Sequence, residues 1–307
     1  MESLEQLRAR FETLTELRSL VGTMKALAAV GVHRLDEAAR SVGQYDRTIE
    51  HGLHVVLRAS PGEPARGAAR HGAARRGPRA VIVFGSDHGL CGRFNEDLLD
   101  FAAGRLEALA PEERELRVLA VGARAAALLE GAGHRPEQEF VVPGTPEAAT
   151  RSVRQILLAV ERWRDAGVQE VAMVHQRPRP DGRCRPVLAR LLPVAPHRFR
   201  RIGQARWESR TLPTFTMDRA ALLAALLRQY FFVSVLRAQI ESIAAENASR
   251  LAAMQAAERS LEERGDALLA ELRHRRQEAI TTELLEIVSG FEALGGEASG
   301  REGARAP

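Results

Sequence analysis

The chain has 307 residues, of which 45% are hydrophobic and 27% are charged, so it is long enough for one large or two ordinary domains and too apolar for a disordered protein. With two cysteines, it carries neither a disulfide framework nor a cysteine-rich metal site. The net charge is +4, but the arginines between residues 66 and 79 lie in a Gly-, Ala- and Pro-rich stretch without aromatic residues. We therefore predict a solvated basic surface and no nucleic-acid partner.

The N-terminus carries acidic residues, Glu2 and Glu5, where a secretory signal would need a basic and then an apolar region. No uninterrupted apolar run approaches the roughly 20 residues that span a bilayer. The sequence therefore predicts a cytoplasmic protein without direct membrane insertion.

Proline residues divide the chain into three parts. None occurs before Pro61, and none occurs between Pro213 and Pro307. Because proline breaks the interior of a helix, its absence allows two very long helices at the ends and places the turns in the middle. We predict an N-terminal helix over residues 1–60, a linker over 61–78, an α/β domain over 79–213, a C-terminal helix over 214–294 and a disordered tail over 295–307.

Apolar residues in the N-terminal helix recur every seven positions. One row is Leu7, Leu14, Val21, Ala28, Leu35, Val42, Ile49 and Val56, and a second row is Leu17, Met24, Gly31, Ala38 and Tyr45. This is the a/d pattern of a coiled coil. A helix of roughly 80 Å needs a partner, because helices in water depend on burying one face.

The C-terminal helix carries the matching pattern. Its rows are Leu226, Val233, Ile240, Asn247, Met254, Leu261 and Leu268, and Tyr230, Ala244, Leu251, Leu272 and Ala279. Because both helices belong to one chain and flank a globular insert, we predict a long antiparallel coiled coil in which the longer C-terminal helix extends beyond its partner. Each large apolar side chain buried there contributes about 1.5–3 kcal/mol.

The middle of the chain alternates apolar, strand-like runs with helical segments. The predicted strands are 79–85, 117–122, 139–142 and 168–175, and the predicted helices are 95–109, 123–130 and 146–165. Such alternation predicts a Rossmann-like α/β domain with a mostly parallel sheet, inserted between the paired end helices.

The segment from Ser86 to Asn95 follows the first predicted strand, where a Rossmann-like fold would hold a phosphate. It lacks the G-x-G-x-x-G spacing and a P-loop lysine, so we interpret its glycines as a tight turn capped by Ser86 or Asp87. We interpret Cys91 and His175 as structural residues. The sequence thus predicts no catalytic residue, cofactor or metal site, and an α/β nucleotide-binding enzyme with a coiled-coil dimerisation arm stays the alternative.

Residues 86–95, Ser-Asp-His-Gly-Leu-Cys-Gly-Arg-Phe-Asn, resemble the Ser/Thr-Asp-Arg-Gly-Leu-Cys-Gly-Gly-Leu-Asn signature of F-type ATP synthase γ subunits. The stretch Ala-Ile-Thr-Thr-Glu-Leu-Leu-Glu-Ile-Val-Ser-Gly at 279–290 is similar to the most characteristic segment of that family. Residues 7–33 and 246–257 also fit its helices. The resemblance covers nearly the whole chain.

The resemblance implies a central rotor shaft that has no active site of its own. In that family the coiled coil stands inside a hexamer of alternating α and β subunits. The α/β domain rests on the c-subunit ring beside the ε subunit. Ion flow turns the ring, and the shaft changes the nucleotide affinity of each β site in turn. Such a complex is peripheral, on the cytoplasmic side of the bacterial inner membrane.

The resemblance also implies contacts with the hexamer at particular positions. The polar ones are Glu246, Arg250, Arg276, Gln277, Thr281 and Glu283, and the apolar ones are Leu284, Ile287, Val288 and Phe291. Because Glu246 and Arg250 stand four residues apart on a helix, an intrahelical ion pair is an alternative interpretation for them. The apolar residues lie beyond any coiled-coil partner and need another cover, which an apolar sleeve in the hexamer would provide.

The chain departs from the family pattern at several positions. His88 and Arg93 replace an Arg and a Gly of the signature, and Ser260 and Arg273 replace two Asn residues. We hypothesise a divergent member from an alternative ATPase set, for which sodium is a candidate coupling ion beside the proton. A coiled-coil scaffold outside any synthase is the third possibility, and the uncovered apolar residues between 284 and 291 argue against it.

Overall fold

The computed structural model describes residues 3–58, 78–109, 116–179, 183–194, 196–204 and 213–302, together with Trp207 and Thr211. Its elements are α1 (Leu4–Arg58), β1 (Arg79–Phe84), α2 (Phe94–Leu109), β2 (Leu116–Val121), α3 (Ala123–Gly131), β3 (Gln138–Phe140), α4 (Pro146–Asp165), β4 (Glu170–Pro178), β5 (Cys184–Leu192), α5 (Pro196–Gln204) and α6 (Arg219–Glu302). These residues form two compact units: the sheet unit, residues 26–253, and the helical unit, which combines the described residues before 26 and after 253.

A five-stranded sheet lies at the centre of the sheet unit, with the strand order β3-β2-β1-β4-β5. The pairs β1–β2, β1–β4 and β2–β3 are parallel, and β5 is antiparallel to β4. Val81, Ile82 and Val83 in β1 are all 0% exposed, as expected for a parallel strand covered on both faces. The predicted mostly parallel sheet between the end helices is confirmed.

Alternate residues of β1 face two different cores. Ile82 packs in a cluster with Ile156 of α4 and Val235 of α6. Val83 packs in a second cluster that includes Leu98 of α2. Helices therefore cover both faces of the sheet, and the first half of the C-terminal helix is one of its layers.

Two elements were absent from the sequence-based prediction, β5 and α5. Strand β5 forms a hairpin partner for β4, with Met173 paired to Ala189 and His175 paired to Val187. The signal was available in the sequence, because Pro-Asp-Gly at 180–182 is a typical turn sequence. Strand β5 was not predicted because strands and helices alternate in a parallel sheet, and a second strand directly after β4 does not fit that alternation.

In the sheet unit, α1 and α6 run antiparallel. Tyr45 Oη donates a 2.8 Å hydrogen bond to Gln229 Oε1, whereas Gly31, earlier in α1, faces Asn247, later in α6. A Cβ atom added at Gly31 would lie 2.6 Å from Asn247 Oδ1, so the two helices approach closely at this glycine. The predicted antiparallel pairing is confirmed. Val42 of α1 packs in a buried apolar cluster with Val233 and Ile240 of α6.

In the helical unit the pairing has the same direction. Arg18 Nη2 lies 2.6 Å from Glu262 Oε1, and Lys25 Nζ lies 2.6 Å from Glu258 Oε2. One predicted interface position is wrong, however. Leu17 is 46% exposed, because a strict seven-residue row drifts by about 20° per heptad around an ideal helix.

The bounds of the last helix also differ from the prediction. Helix α6 begins at Arg219 and ends at Glu302, so residues 295–302 are helical rather than part of a disordered tail. The glycines there cost about 1 kcal/mol each relative to alanine, but no proline before Pro307 removes a backbone donor. Residues 303–307, and the predicted linker up to residue 77, lie outside the described part of the chain.

One helix of the described residues meets the length and hydropathy criteria for a membrane span. An 18-residue window within Arg219–Ser289 has a mean hydropathy of 1.4, and 17% of that window is buried. The expectation from the sequence concerned apolar runs and is not contradicted, since an apolar run in this helix such as residues 220–227 is far shorter than a span. A single helix of this kind is weak evidence for a span, since core helices of soluble proteins meet the same criteria.

Candidate functional site

The turn after β1 is held by buried polar side chains. Asn95 Oδ1 accepts a 3.1 Å hydrogen bond from the Ser86 amide, and Asn95 Nδ2 donates to Ser86 Oγ at 2.8 Å. Ser86 Oγ in turn donates to the His88 carbonyl oxygen at 2.8 Å. Ser86 and Asn95 are 0% and 2% exposed. Their hydrogen-bonding capacity is used within the turn.

Asp87 connects this turn to the neighbouring strands. Its carboxylate accepts hydrogen bonds from the amides of Ala123, at 3.0 Å, and Val142, at 2.9 Å. Because the carboxyl ends of parallel strands meet at one edge of the sheet, the loops after β1, β2 and β3 come together there. The interpretation of a tight turn capped by Ser86 or Asp87 agrees with these hydrogen bonds, because both side chains stabilise the turn and its neighbours.

Two glycines are required by the close approach of these loops. Gly122 has a φ of 109°, and an added Cβ would lie 2.6 Å from the Ser86 carbonyl oxygen. At Gly85 an added Cβ would overlap the Cβ of Ala125. Any side chain at either position would force the backbone apart.

The departure at Arg93 does not strain the turn. Among the described residues, Leu90, with a φ of 61°, is the one non-glycine residue with a positive φ. Position 93 therefore does not need the conformational freedom of glycine. The Arg93 side chain is 73% exposed, and its Nε lies 3.1 Å from Asp97 Oδ1.

The strand order reverses between β1 and β4, which is where open α/β sheets bind ligands. Helix α6 contacts this edge of the sheet directly. Ser242 Oγ donates a 2.7 Å hydrogen bond to the Phe84 carbonyl oxygen, and Ser249 Oγ donates a 2.6 Å bond to that of Cys91. The position that a nucleotide would take in an enzyme of this fold is thus filled by the chain itself, which argues against the nucleotide-binding alternative.

Cys91 has the properties of a structural cysteine. It is 2% exposed, and burial raises the pKa of its thiol. Asn95 Nδ2 lies 3.6 Å from its sulfur. A protonated, inaccessible thiol is a poor nucleophile, which confirms the structural interpretation.

His175 is likewise an interior residue, and one of its two ring nitrogens has a hydrogen-bond partner. It is 2% exposed, and its Nε2 lies 2.9 Å from Glu241 Oε2. The pair joins β4 to α6.

Glu246 and Arg250 form the intrahelical ion pair that was one interpretation of their spacing. Arg250 Nη2 lies 2.7 Å from Glu246 Oε1, and the two side chains are 14% and 8% exposed. Burial raises the pKa of Glu246, and the charge of Arg250 opposes this shift. Arg250 also donates a 3.4 Å hydrogen bond to the Gly89 carbonyl oxygen, so it connects α6 to the glycine turn.

The remaining predicted contact residues other than Phe291 lie on residues 276–289 of α6, here called the end segment. Every described side chain of this segment is exposed, including the polar Arg276, Gln277, Thr281 and Glu283. The apolar Leu284, Ile287 and Val288 are 58%, 52% and 53% exposed. Phe291 lies in the same helix, but its side chain is outside the described part of the chain.

Two further apolar residues of the end segment were missed in the sequence. Ile280 is 50% exposed and Leu285 is 61% exposed. Ile280 could have been found, because it stands four and seven residues before Leu284 and Ile287 and therefore lies on the same helix face.

Comparison with known proteins places the chain in a family. The family model described as ATP synthase matches residues 3–294. The ATP synthase gamma chain of Bartonella tribocorum is 27% identical over 313 residues, which covers 96% of this chain and 100% of that relative. The ATP synthase gamma chain of Pelotomaculum thermopropionicum is 28% identical over 297 residues, with the same coverage.

The fold is also similar to solved structures. A chain of the Euglena gracilis mitochondrial ATP synthase rotor has a TM-score of 0.63 at 14% identity, over 90% of this chain and 98% of that chain. A chain from the Euglena gracilis OSCP/F1/c-ring structure has a TM-score of 0.61 at 16% identity, over 96% and 95% of the two chains. At such identities the likeness shows a shared fold. Because the family match spans nearly the whole sequence, the chain belongs to the ATP synthase γ-chain family.

Proposed function

We propose that this chain is the central rotor shaft of an F-type ATP synthase and has no active site of its own. The observation that carries the proposal is the uncovered end segment of α6. Five large apolar side chains between Ile280 and Val288 are 50–61% exposed. A contiguous apolar surface of this kind marks an interaction site in a soluble protein.

The proposed cover for the end segment is the hexamer of α and β subunits. Leu284, Ile287, Val288 and Phe291 would contact an apolar sleeve, and Arg276, Gln277, Thr281 and Glu283 would contact polar loops around it. Glu246 and Arg250 would contribute a smaller contact, because most of their surface is already covered within the chain. The sheet unit would rest on the c-subunit ring beside the ε subunit.

Torque transmission follows from differential contact. A shaft can shift a catalytic interface between states only by the difference between its contact free energies with those states. An apolar stripe on one side of a helix offers such a difference as it turns, because each β subunit in sequence meets the apolar face and then the polar one. The antiparallel pairing with α1 stiffens the earlier part of α6, the helix whose end segment carries the stripe.

We propose a location on the cytoplasmic face of a bacterial inner membrane, with peripheral attachment through the complex. The coupling ion would cross the membrane ring rather than this chain. On the hypothesis of an alternative, sodium-translocating set, ATPase activity of the native complex depends on sodium. Equal activity with and without sodium removes sodium as the coupling ion.

The experiment that tests the shaft role is co-expression with the α and β subunits of the same genome, followed by size-exclusion mass and an ATPase assay. We compare the wild-type chain, a chain ending at residue 275, and the variant L284S/I287S/V288S. The control E263S/R264S/D266S carries the same number of serines on exposed positions earlier in α6.

We expect one copy of the wild-type chain and of the control for every three αβ pairs. The truncated chain and the apolar-face variant are expected to assemble weakly or with reduced ATPase activity. Wild-type behaviour of L284S/I287S/V288S would contradict the apolar-sleeve argument. Failure of the wild-type chain to join any α/β set would leave the scaffold interpretation, and nucleotide binding by the isolated chain would favour the enzyme alternative.

A further inference from the structure

We propose that the sheet unit contains a binding site for a small free oxyanion, of the class of inorganic phosphate or sulfate. The site is a cavity of about 110 Å³ between β4, β5, α5 and the paired helices α1 and α6. It lies within the sheet unit and does not depend on the proposed shaft role.

Four arginines from four different elements line this cavity. They are Arg177 on β4, Arg190 on β5, Arg198 on α5 and Arg237 on α6. The acidic residues of the lining are Asp46 and Glu241, so the ionised lining has two more positive than negative charges when His175 is neutral. Each of the four arginines is also ion-paired on one side, so the attraction for an anion comes from the remaining guanidinium donors as well as from charge.

The two lining carboxylates already accept hydrogen bonds from neighbouring side chains and do not repel an anion strongly. Glu241 Oε2 lies 2.7 Å from Arg177 Nε and 2.9 Å from His175 Nε2. Arg237 joins both carboxylates, with Nη1 at 2.7 Å from Asp46 Oδ2 and Nε at 3.2 Å from Glu241 Oε1.

The arginines keep donors for a ligand. A guanidinium group has five N–H donors in a fixed fork. Arg190 is held through Nη2, at 3.2 Å from Glu170 Oε1, and Arg198 is held through Nη2, at 3.3 Å from Glu50 Oε1. Arg198 is further positioned over the ring of Tyr230, at 5.0 Å from its centroid. Both guanidinium groups are thus anchored from outside the cavity.

Buried polar atoms without a protein partner mark the same place. His175 lines the cavity and is 2% exposed, and its Nδ1 has no hydrogen-bond partner among the described residues. The Nε of Arg198, also a lining residue, is buried without a hydrogen-bond partner in the described part of the chain. Since buried polar groups in folded proteins are almost always hydrogen-bonded, a ligand that accepts and donates hydrogen bonds fits this cavity.

Size and geometry indicate the ligand class. A cavity of about 110 Å³ lined by four guanidinium groups is suitable for a single tetrahedral oxyanion. Arginine forks match the oxygen pairs of phosphate and sulfate. A protonated oxygen of hydrogen phosphate would in addition supply a donor to His175 Nδ1.

The test uses the full-length chain and inorganic phosphate. Binding is measured by isothermal titration calorimetry and by urea unfolding in phosphate or in sodium chloride at equal ionic strength. For a Kd of about 1 mM, 10 mM phosphate lowers the unfolding equilibrium constant about tenfold. Glycerol 3-phosphate serves as a larger probe of the same charge class.

Two variants test the cavity in different ways. R190Q/R198Q removes two guanidinium groups, each of which is held by an ion pair from outside the cavity. A189L keeps every charge but fills space, since Ala189 lines the cavity. The control R93Q removes one exposed, ion-paired arginine elsewhere in the sheet unit.

We expect phosphate to raise the unfolding midpoint above the value in chloride for the wild type and for R93Q, and we expect no such rise for R190Q/R198Q and A189L, each compared with its own midpoint in chloride. Equal stability of the wild type in phosphate and in chloride would overturn the proposal. Equal loss of protection in R93Q would assign the effect to overall charge. Equal protection by glycerol 3-phosphate would overturn the restriction to a free ion.

Discussion

Glu241 offers a sharp test of how the sheet unit is held together. Its carboxylate lies between α6 and β4, with a side chain that is 15% exposed. Burial raises its pKa, but the hydrogen bonds from His175 and Arg177 and their charges outweigh this effect. The pKa of Glu241 is therefore lowered from an ordinary value of 4.5 to about 2.

The magnitude follows from linkage between proton binding and folding. Each pKa unit corresponds to 1.36 kcal/mol, so ionised Glu241 stabilises the fold by on the order of 3 kcal/mol at neutral pH. Because the folded-state pKa is the lower one, this contribution is complete above about pH 4.5 and disappears as the pH falls toward 2. At pH 3 about 1 kcal/mol remains.

The assay is urea unfolding of the wild type and of Glu241→Gln at pH 7, 5, 4 and 3. Glutamine keeps the shape of the side chain and removes its charge. We expect a difference in the free energy of unfolding of about 3 kcal/mol at pH 7 that falls to about 1 kcal/mol at pH 3. Glu263→Gln, an exposed substitution on the same helix, is the control and should change stability by less than about 0.5 kcal/mol throughout. A difference that stays constant with pH, or is absent at pH 7, would refute the assignment.

Two further substitutions test packing by urea unfolding at neutral pH. Gly122→Ala is expected to cost about 3 kcal/mol, since the residue has a φ of 109° and its Cβ would meet the Ser86 backbone. Gly133→Ala, at a φ of 84° with open space around it, should cost about 1 kcal/mol, and equal costs would contradict the close-approach argument. Leu53→Ala removes a 0% exposed side chain between α1 and α6 and should lower the free energy of unfolding by about 2–5 kcal/mol. Leu20→Ala, at a 56% exposed position, is the control and should change it by less than about 0.5 kcal/mol. Similar effects of both substitutions would place the helix interface elsewhere.

The outline of the fold could be predicted because its signals are local. The absence of proline before Pro61 and after Pro213 permitted two long helices, and the heptad rows indicated that each helix needs a partner. The buried run of β1 identified a strand of a parallel sheet. Strand β5 was missed because it follows β4 in the chain and pairs with it in antiparallel fashion, which departs from the strand-helix alternation.

The candidate contact surface was also predictable in part. The apolar stripe at Leu284, Ile287 and Val288 follows from helical spacing, and its exposure follows from a C-terminal helix that is longer than its partner. The burial of Glu246 did not follow, because a spacing of four residues is equally compatible with an exposed and with a covered ion pair.

The sequence by itself determined the long helices at both ends of the chain, the apolar strands and the uncovered stripe. These features depend on hydrophobic periodicity and on helix-breaking residues, which are signals between residues close together in the chain. Only the tertiary structure decided that Ser242 of α6 reaches the Phe84 carbonyl at the end of β1, closing the edge where a ligand would bind. It likewise decided that Arg190 and Arg198 line one cavity with Arg177 and Arg237. Contacts between residues so far apart in the chain depend on how whole elements pack, and sequence periodicity shows which face of an element is covered but not which residues cover it.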